Sequence, residues 1–137
     1  MNYFKEIQKE IKSKLSVPGL VSELLDAATK IHFLHLSVTG PGSYAQHKAL
    51  NELYDALPGL ADAIAEGWTG VTGQIPKYEA VQAPMMESVE DCIKYIDNMH
   101  TRITNLQKTI EYSEIVNDLD TIKSQLNSSK YKLKFLA

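Results

Sequence analysis

Four side chains in this sequence have the types and spacings to hold a metal ion: His35, His47, Asp62 and Glu66. Asp62 and Glu66 are four residues apart, which on a helix places both carboxylates on one face, one turn from each other. His35 and His47 flank the turn-forming stretch Thr39-Gly40-Pro41-Gly42. If the chain reverses there between antiparallel helices, one imidazole ends the first helix and the other begins the second. Two imidazoles and two carboxylates form a mixed nitrogen and oxygen donor set suited to Fe(II), Mn(II) or Zn(II).

One chain cannot close that set alone. The fifteen residues from His47 to Asp62 span about 22 Å of helix, against metal–ligand bonds of about 2 Å. A shared ion requires two chains packed antiparallel about a two-fold axis, so that the histidines of one meet the carboxylates of the other. Such an isologous dimer carries two equivalent sites. Plainer readings exist for each residue. A histidine on an apolar stripe is commonly a core residue, and an acidic pair one turn apart is commonly a solvated surface.

The elements that must position these residues are helical throughout, because apolar side chains recur at three- and four-residue steps in five stretches. Phe4, Ile7, Ile11 and Leu15 mark a short helix over 2–15, which Pro18-Gly19 ends. Val21, Leu24, Ala28, Ile31, His35 and Val38 mark a helix over about 20–38, with His35 on its buried stripe. Ser43 is placed to cap a third helix over about 44–68, striped by His47, Leu50, Tyr54, Leu57, Ala61, Ile64 and Trp68. Pro58 lies inside it and predicts a bend without a break, since the stripe keeps its phase. Residues 69–86 read as a long connection. A fourth helix covers about 88–112. A fifth covers about 118–136, where Asn117 and Asp120 suggest a capping box. Two short loops and one connection long enough to cross a bundle give two antiparallel hairpins joined by a crossover. That is an all-α, ferritin-like four-helix bundle with an additional short N-terminal helix, in one domain over residues 1–137.

The stretch His35-Leu36-Ser37-Val38-Thr39-Gly40-Pro41, then His47, then Asp62-Ala63-Ile64-Ala65-Glu66, resembles the ferroxidase segment of the Dps-type mini-ferritins. That family's motif reads His-Trp-Asn-Val-x-Gly, with the second histidine twelve residues after the first and an aspartate and a glutamate one turn apart beyond it. The likeness covers about residues 31–70, and Asp120-Thr121 adds a weaker one in the last helix. It implies His35, His47, Asp62 and Glu66 as ligands of Fe(II) between subunits. It also implies oxidation of that iron by hydrogen peroxide or oxygen, Fe(III) storage in a twelve-subunit cage, and protection from oxidative damage. Some members also coat DNA. The chain departs from the motif in places. Leu36 and Ser37 stand where the family has Trp-Asn, which removes an aromatic wall and a polar partner beside the site. Asn51, one turn after His47, offers only an amide oxygen where many members carry an acid. The crossover is also shorter than usual.

Other residues are weighed against structural roles. His32 lies one turn before His35 and reads as a helix-edge residue beside the site. Asp97-Asn98-Met99-His100 has the acid-to-histidine spacing of internal di-iron bundles, but those need two copies and the sequence holds one. Trp68 reads as a core anchor near Glu66, and Cys92 as a small buried residue. Lys130, Lys132 and Lys134 suit the negative end of the last helix. The lysines of the first stretch alternate with Glu6 and Glu10, which favours docking on the bundle over binding DNA.

Composition limits the remaining possibilities. The chain has 137 residues and net charge −3, so it builds one ordinary domain and gains no affinity for nucleic acid from overall charge. No apolar run reaches the roughly 18 residues of a membrane span. The charged start Met1-Asn2-Tyr3-Phe4-Lys5-Glu6 is unlike a signal peptide, so the expected location is cytoplasmic. The single cysteine, Cys92, excludes an internal disulfide and any multi-thiolate zinc site. The leading expectation is an iron-binding ferroxidase. The alternative is a non-catalytic bundle with a structural, zinc- or other metal-binding, or DNA-associated role.

Overall fold

The computed structural model describes residues 14–136 and consists, over that range, of four α-helices: α1 (Val17–His35), α2 (Ser43–Thr72), α3 (Val89–Gln107) and α4 (Ser113–Phe135). No strand occurs among the described residues. The helix expected over 2–15 lies outside them but for its last two positions, and Lys14, Leu15 and Ser16 are not helical.

Contacts at the helix ends fix the directions of the four helices. The Arg102 guanidinium, late in α3, grips the Glu23 carboxylate, early in α1, through two bonds of 2.6 and 2.9 Å. Lys132, late in α4, pairs with Glu52, early in α2. Lys130 pairs with Asp97 of α3 at 2.6 Å. Each pair joins the late part of one helix to the earlier part of its neighbour, so adjacent helices run antiparallel. α1 packs on α2 and α3, and α4 packs on α2 and α3. α2 and α3 are therefore parallel and diagonal, joined by the crossover 73–88. This is the expected bundle of two hairpins and one long connection. Its centre is filled by Leu20, Leu24, Ile31, Leu50, Leu53, Leu57, Ile64, Ile96, Met99, Ile103, Ile115 and Leu119, all fully buried.

Several boundaries differ from the sequence expectation, each for a local reason. α1 starts three residues early because Pro18 fits the first turn, where its missing N–H has no helical partner to lose. Ser16 caps it, its hydroxyl accepting a bond from the Gly19 amide at 3.1 Å. α2 is capped by Gly42 in the left-handed region (φ 80°), which puts Ser43 inside the helix without a capping bond. It runs unbroken through Pro58 and continues to Thr72, so the crossover is 73–88, not 69–86. The Ser88 hydroxyl caps α3 by accepting from the Asp91 amide at 3.1 Å. α4 starts at Ser113, so the capping box expected at Asn117 and Asp120 does not form. The Asn117 carbonyl accepts the Thr121 hydroxyl inside the helix at 3.2 Å, and the Asp120 carboxylate accepts the Gln107 amide at 2.7 Å. The crossover is held on α1 by Lys30, whose ammonium binds Asp26 at 2.7 Å and the Ala83 carbonyl.

Candidate functional site

The α1–α2 hairpin brings His35 and His47 into ring contact. His35 is the last residue of α1, and His47 lies in the second turn of α2. Gly40 (φ 88°) and Gly42 (φ 80°) permit the tight reversal between them. The imidazole centroids are 3.8 Å apart with planes inclined at 25°. Nδ1 of His47 lies 3.0 Å from the backbone carbonyl of His35. A carbonyl only accepts, so Nδ1 of His47 carries the proton and, in the neutral ring, Nε2 holds the lone pair.

His35 is buried, at 7% exposure. Its Nδ1 has no hydrogen-bond partner among the described residues. Burial holds its pKa below the ordinary 6.5, and the adjacent His47 lowers it further; the His32 backbone and Asp55 pull the other way and are outweighed. The ring is therefore neutral at pH 7, the form that binds metals.

Around this pair stands an aromatic and polar cluster. His32, exposed at the helix edge, stacks on Tyr54 with centroids 4.0 Å apart and planes inclined at 7°. Tyr54 also meets His35 edge-on at 5.1 Å. The Tyr54 hydroxyl donates to Asn51 Oδ1 at 2.7 Å, and the Asn51 amide donates to Asp55 at 2.9 Å. The Asn51 oxygen is thus already engaged by Tyr54. In the sequence Tyr54 shows only as part of the stripe of α2. Its position on the helical face that also carries His47 and Asn51 was the available signal.

Asp62 and Glu66 are both exposed on α2, well along the helix from the imidazoles. Among the described residues of one chain, no group of three or more histidine, cysteine, aspartate or glutamate side chains is placed to hold a metal. The histidines are brought together by the fold, and the carboxylates remain apart from them. The imidazole pair fits a metal by its donor chemistry, with two ring-nitrogen ligands. Imidazole lone pairs lie in the ring planes, and two near-parallel stacked planes do not converge on one ion, so joint capture requires one ring to turn.

The other candidates have structural surroundings. Trp68 is half-buried and meets Tyr112 edge-on at 6.3 Å, pinning the end of α2 to the start of α4. Cys92 is fully buried in α3. Asp97 is engaged by Lys130. None of the described helices is long and apolar enough to cross a membrane.

No solved structure matched this chain. It is similar to the "Uncharacterized 14.6 kDa protein in mobD-ri intergenic region" of Enterobacteria phage T4, with 29% identity over 110 residues, which cover 80% of this chain and 81% of that protein. The family of unknown function DUF5856 matches residues 35–133. That span opens on His35, contains His47, Asp62 and Glu66, and takes in well over half of the sequence; the chain belongs to the DUF5856 family.

Proposed function

We propose that this protein binds Fe(II) between two copies of itself and oxidises it, with His35 and His47 of one copy and Asp62 and Glu66 of the other as ligands. The observation that carries the reading is the bond from His47 Nδ1 to the His35 carbonyl at 3.0 Å. Metal-bound histidines commonly donate their second ring nitrogen in this way, which fixes the tautomer and aims the other nitrogen at the ion. The neutral, buried imidazole of His35 beside it is the second donor.

A second copy is required because Asp62 and Glu66 lie about 22 and 28 Å along α2 from His47. The outer side of the hairpin supports self-association. Leu25, Thr29, Phe33 and Leu36 follow one exposed stripe along α1, and Phe33 (51% exposed) and Leu36 (68%) edge a notch of about 270 Å³. With the copies antiparallel, the end bearing His32, His47 and Lys48 meets the end bearing Asp62 and Glu66. Exposed carboxylates opposite imidazoles complete a nitrogen and oxygen set for Fe(II). Iron is the substrate: each Fe(II) passes one electron to hydrogen peroxide or oxygen and becomes Fe(III). The residues of the chain bind the ion, exclude water on the His35 side, and leave positions open to an oxidant. We place this activity in the cytoplasm, where removing Fe(II) together with peroxide limits radical damage. A dimer suffices for it, and a twelve-subunit cage is the larger assembly of the same reading.

The second reading is a bundle that holds Zn(II) or another ion without oxidising it. The side-by-side stacking of the imidazoles favours it, as does Leu36 in place of an aromatic wall. The test is anaerobic titration with Fe(II) followed by hydrogen peroxide, alongside light scattering for mass. The first reading predicts a dimer or larger assembly and a near-UV absorbance rise that His47→Ala abolishes. Zn(II) binding without that rise supports the second. A monomer that binds neither ion overturns both.

A further inference from the structure

The chain lacks an aromatic residue directly after its first candidate ligand, yet His35 is enclosed by rings. Those rings are His47 at 3.8 Å, His32 at 5.5 Å and Tyr54 at 5.1 Å. Of the four, only Tyr54 is itself tied down by a chain of side-chain bonds. Its hydroxyl donates to Asn51, and Asn51 donates to Asp55, all on the same helix. The spacing 51, 54, 55 places these residues on adjacent positions of one helical face. The tether therefore fixes the side-chain torsions of Tyr54 from α2 alone.

We propose that Tyr54 is a positioning residue that sets the orientation of both α1 imidazoles, His35 and His32, and so determines how well the histidine pair takes a metal. The structural reason is that hydrogen bonding leaves part of the His35 ring unheld. Its buried Nδ1 lacks a partner among the described residues, so ring packing is what holds that part of the side chain. His47 packs on one side of that ring, and it is fixed by its own bond to the His35 carbonyl. Tyr54 closes another side with its edge. The same Tyr54 ring stacks on His32 at 4.0 Å, nearly coplanar in direction, and so couples the two α1 imidazoles through one α2 side chain. Aromatic pairs at these separations prefer defined geometries, so losing one ring frees its partners to turn. An imidazole freed in this way spreads over more orientations and presents its nitrogen to an ion less often, so loss of Tyr54 lowers affinity.

The inference rests on the histidine pair being a metal site only for its affinity consequence; the orientation it assigns is measurable without metal. Two variants separate the parts. Tyr54→Leu removes the ring, and Tyr54→Phe keeps the ring but cuts its tether to Asn51. The probes are Co(II) titration followed by visible absorbance, and proton–nitrogen correlation spectra of the imidazoles in the metal-free protein. Circular dichroism confirms the fold of each variant. We expect Tyr54→Leu to weaken Co(II) binding by about tenfold, the scale seen when a ligand loses its orienting partner, with Tyr54→Phe intermediate. We also expect the ring signals of His32 and His35 to shift both in Tyr54→Leu and in Tyr54→Phe, which keeps the ring and its magnetic field, while those of the remote His100 do not. Unchanged His32 and His35 signals in a folded Tyr54→Leu overturn the assignment, whatever the metal result. If wild type binds no Co(II) but those signals still shift, the positioning role stands and the metal reading fails. Should Tyr54→Leu not fold, the same spectra of Tyr54→Phe decide: a shift at His35 supports the tether, and its absence overturns it.

Discussion

Nδ1 of His47 is held 3.0 Å from the backbone carbonyl of His35, the residue whose ring it also stacks upon. One side chain of α2 thus closes the end of α1 twice, once through the ring face and once through the ring edge. The bond satisfies a carbonyl that the helix leaves without an amide partner at its C-terminal end. It also leaves Nε2 of His47 as the atom available to a ligand.

Long-range nitrogen NMR of the metal-free protein is therefore expected to show the neutral ring of His47 as the tautomer with its proton on Nδ1. His47→Ala removes both contacts, and its Co(II) affinity is expected to fall by at least about tenfold. His47→Gln can bond the carbonyl but cannot replace the imidazole, so it is expected to retain stability better than Ala while still losing the metal. Equal metal affinity in wild type and His47→Ala would remove this histidine from the site.

Acid stability follows from His35. Its pKa in the folded chain lies below the ordinary 6.5, because burial and His47 disfavour the charged ring. Between the folded value and 6.5 the unfolded chain binds more protons than the folded one, so stability rises with pH there. The contribution is complete above pH 6.5 and declines as pH falls through that window. Urea melts across pH 5–7 are expected to show this loss in wild type and a shallower slope in His35→Gln. The same slope in both would assign the acid sensitivity elsewhere.

The Arg102–Glu23 pair clamps α3 to α1 with two bonds, and both side chains are largely buried, at 6% and 14% exposure. Removing one partner strands a charge in a desolvated setting. Arg102→Met is expected to cost about 3–5 kcal/mol in denaturant melts. Adding Glu23→Leu is expected to restore most of that loss, because the penalty lies in the unpaired carboxylate. Additive losses in the double variant would contradict this account.

Cys92 is fully buried, and burial pushes its thiol up to about 12. The thiolate is the reactive form. At pH 8 the native protein is expected to resist iodoacetamide, and the urea-unfolded chain to be alkylated readily. Fast labelling of the native protein would show that α3 opens locally.

The helical class, the two hairpins and their crossover were legible in the residues alone. These follow from the three- and four-residue apolar steps, the turn at Gly40-Pro41-Gly42 and the unequal loop lengths, all properties of neighbouring residues. Capping was less legible. Pro18 is tolerated inside a first turn as readily as before it, and Asn117 and Asp120 match a cap in spacing while lying within α4. The approach of His35 to His47 was likewise readable, because a short turn joins their helices. The Tyr54, Asn51 and Asp55 cluster was not, since a tyrosine on an apolar stripe gives no sign of which ring it will meet on another helix. Tertiary packing decided that, whereas the distance of the carboxylates from the imidazoles of one chain was already fixed by their spacing along one helix. Helix length sets that separation, and a single rigid rod cannot bend its own two ends together.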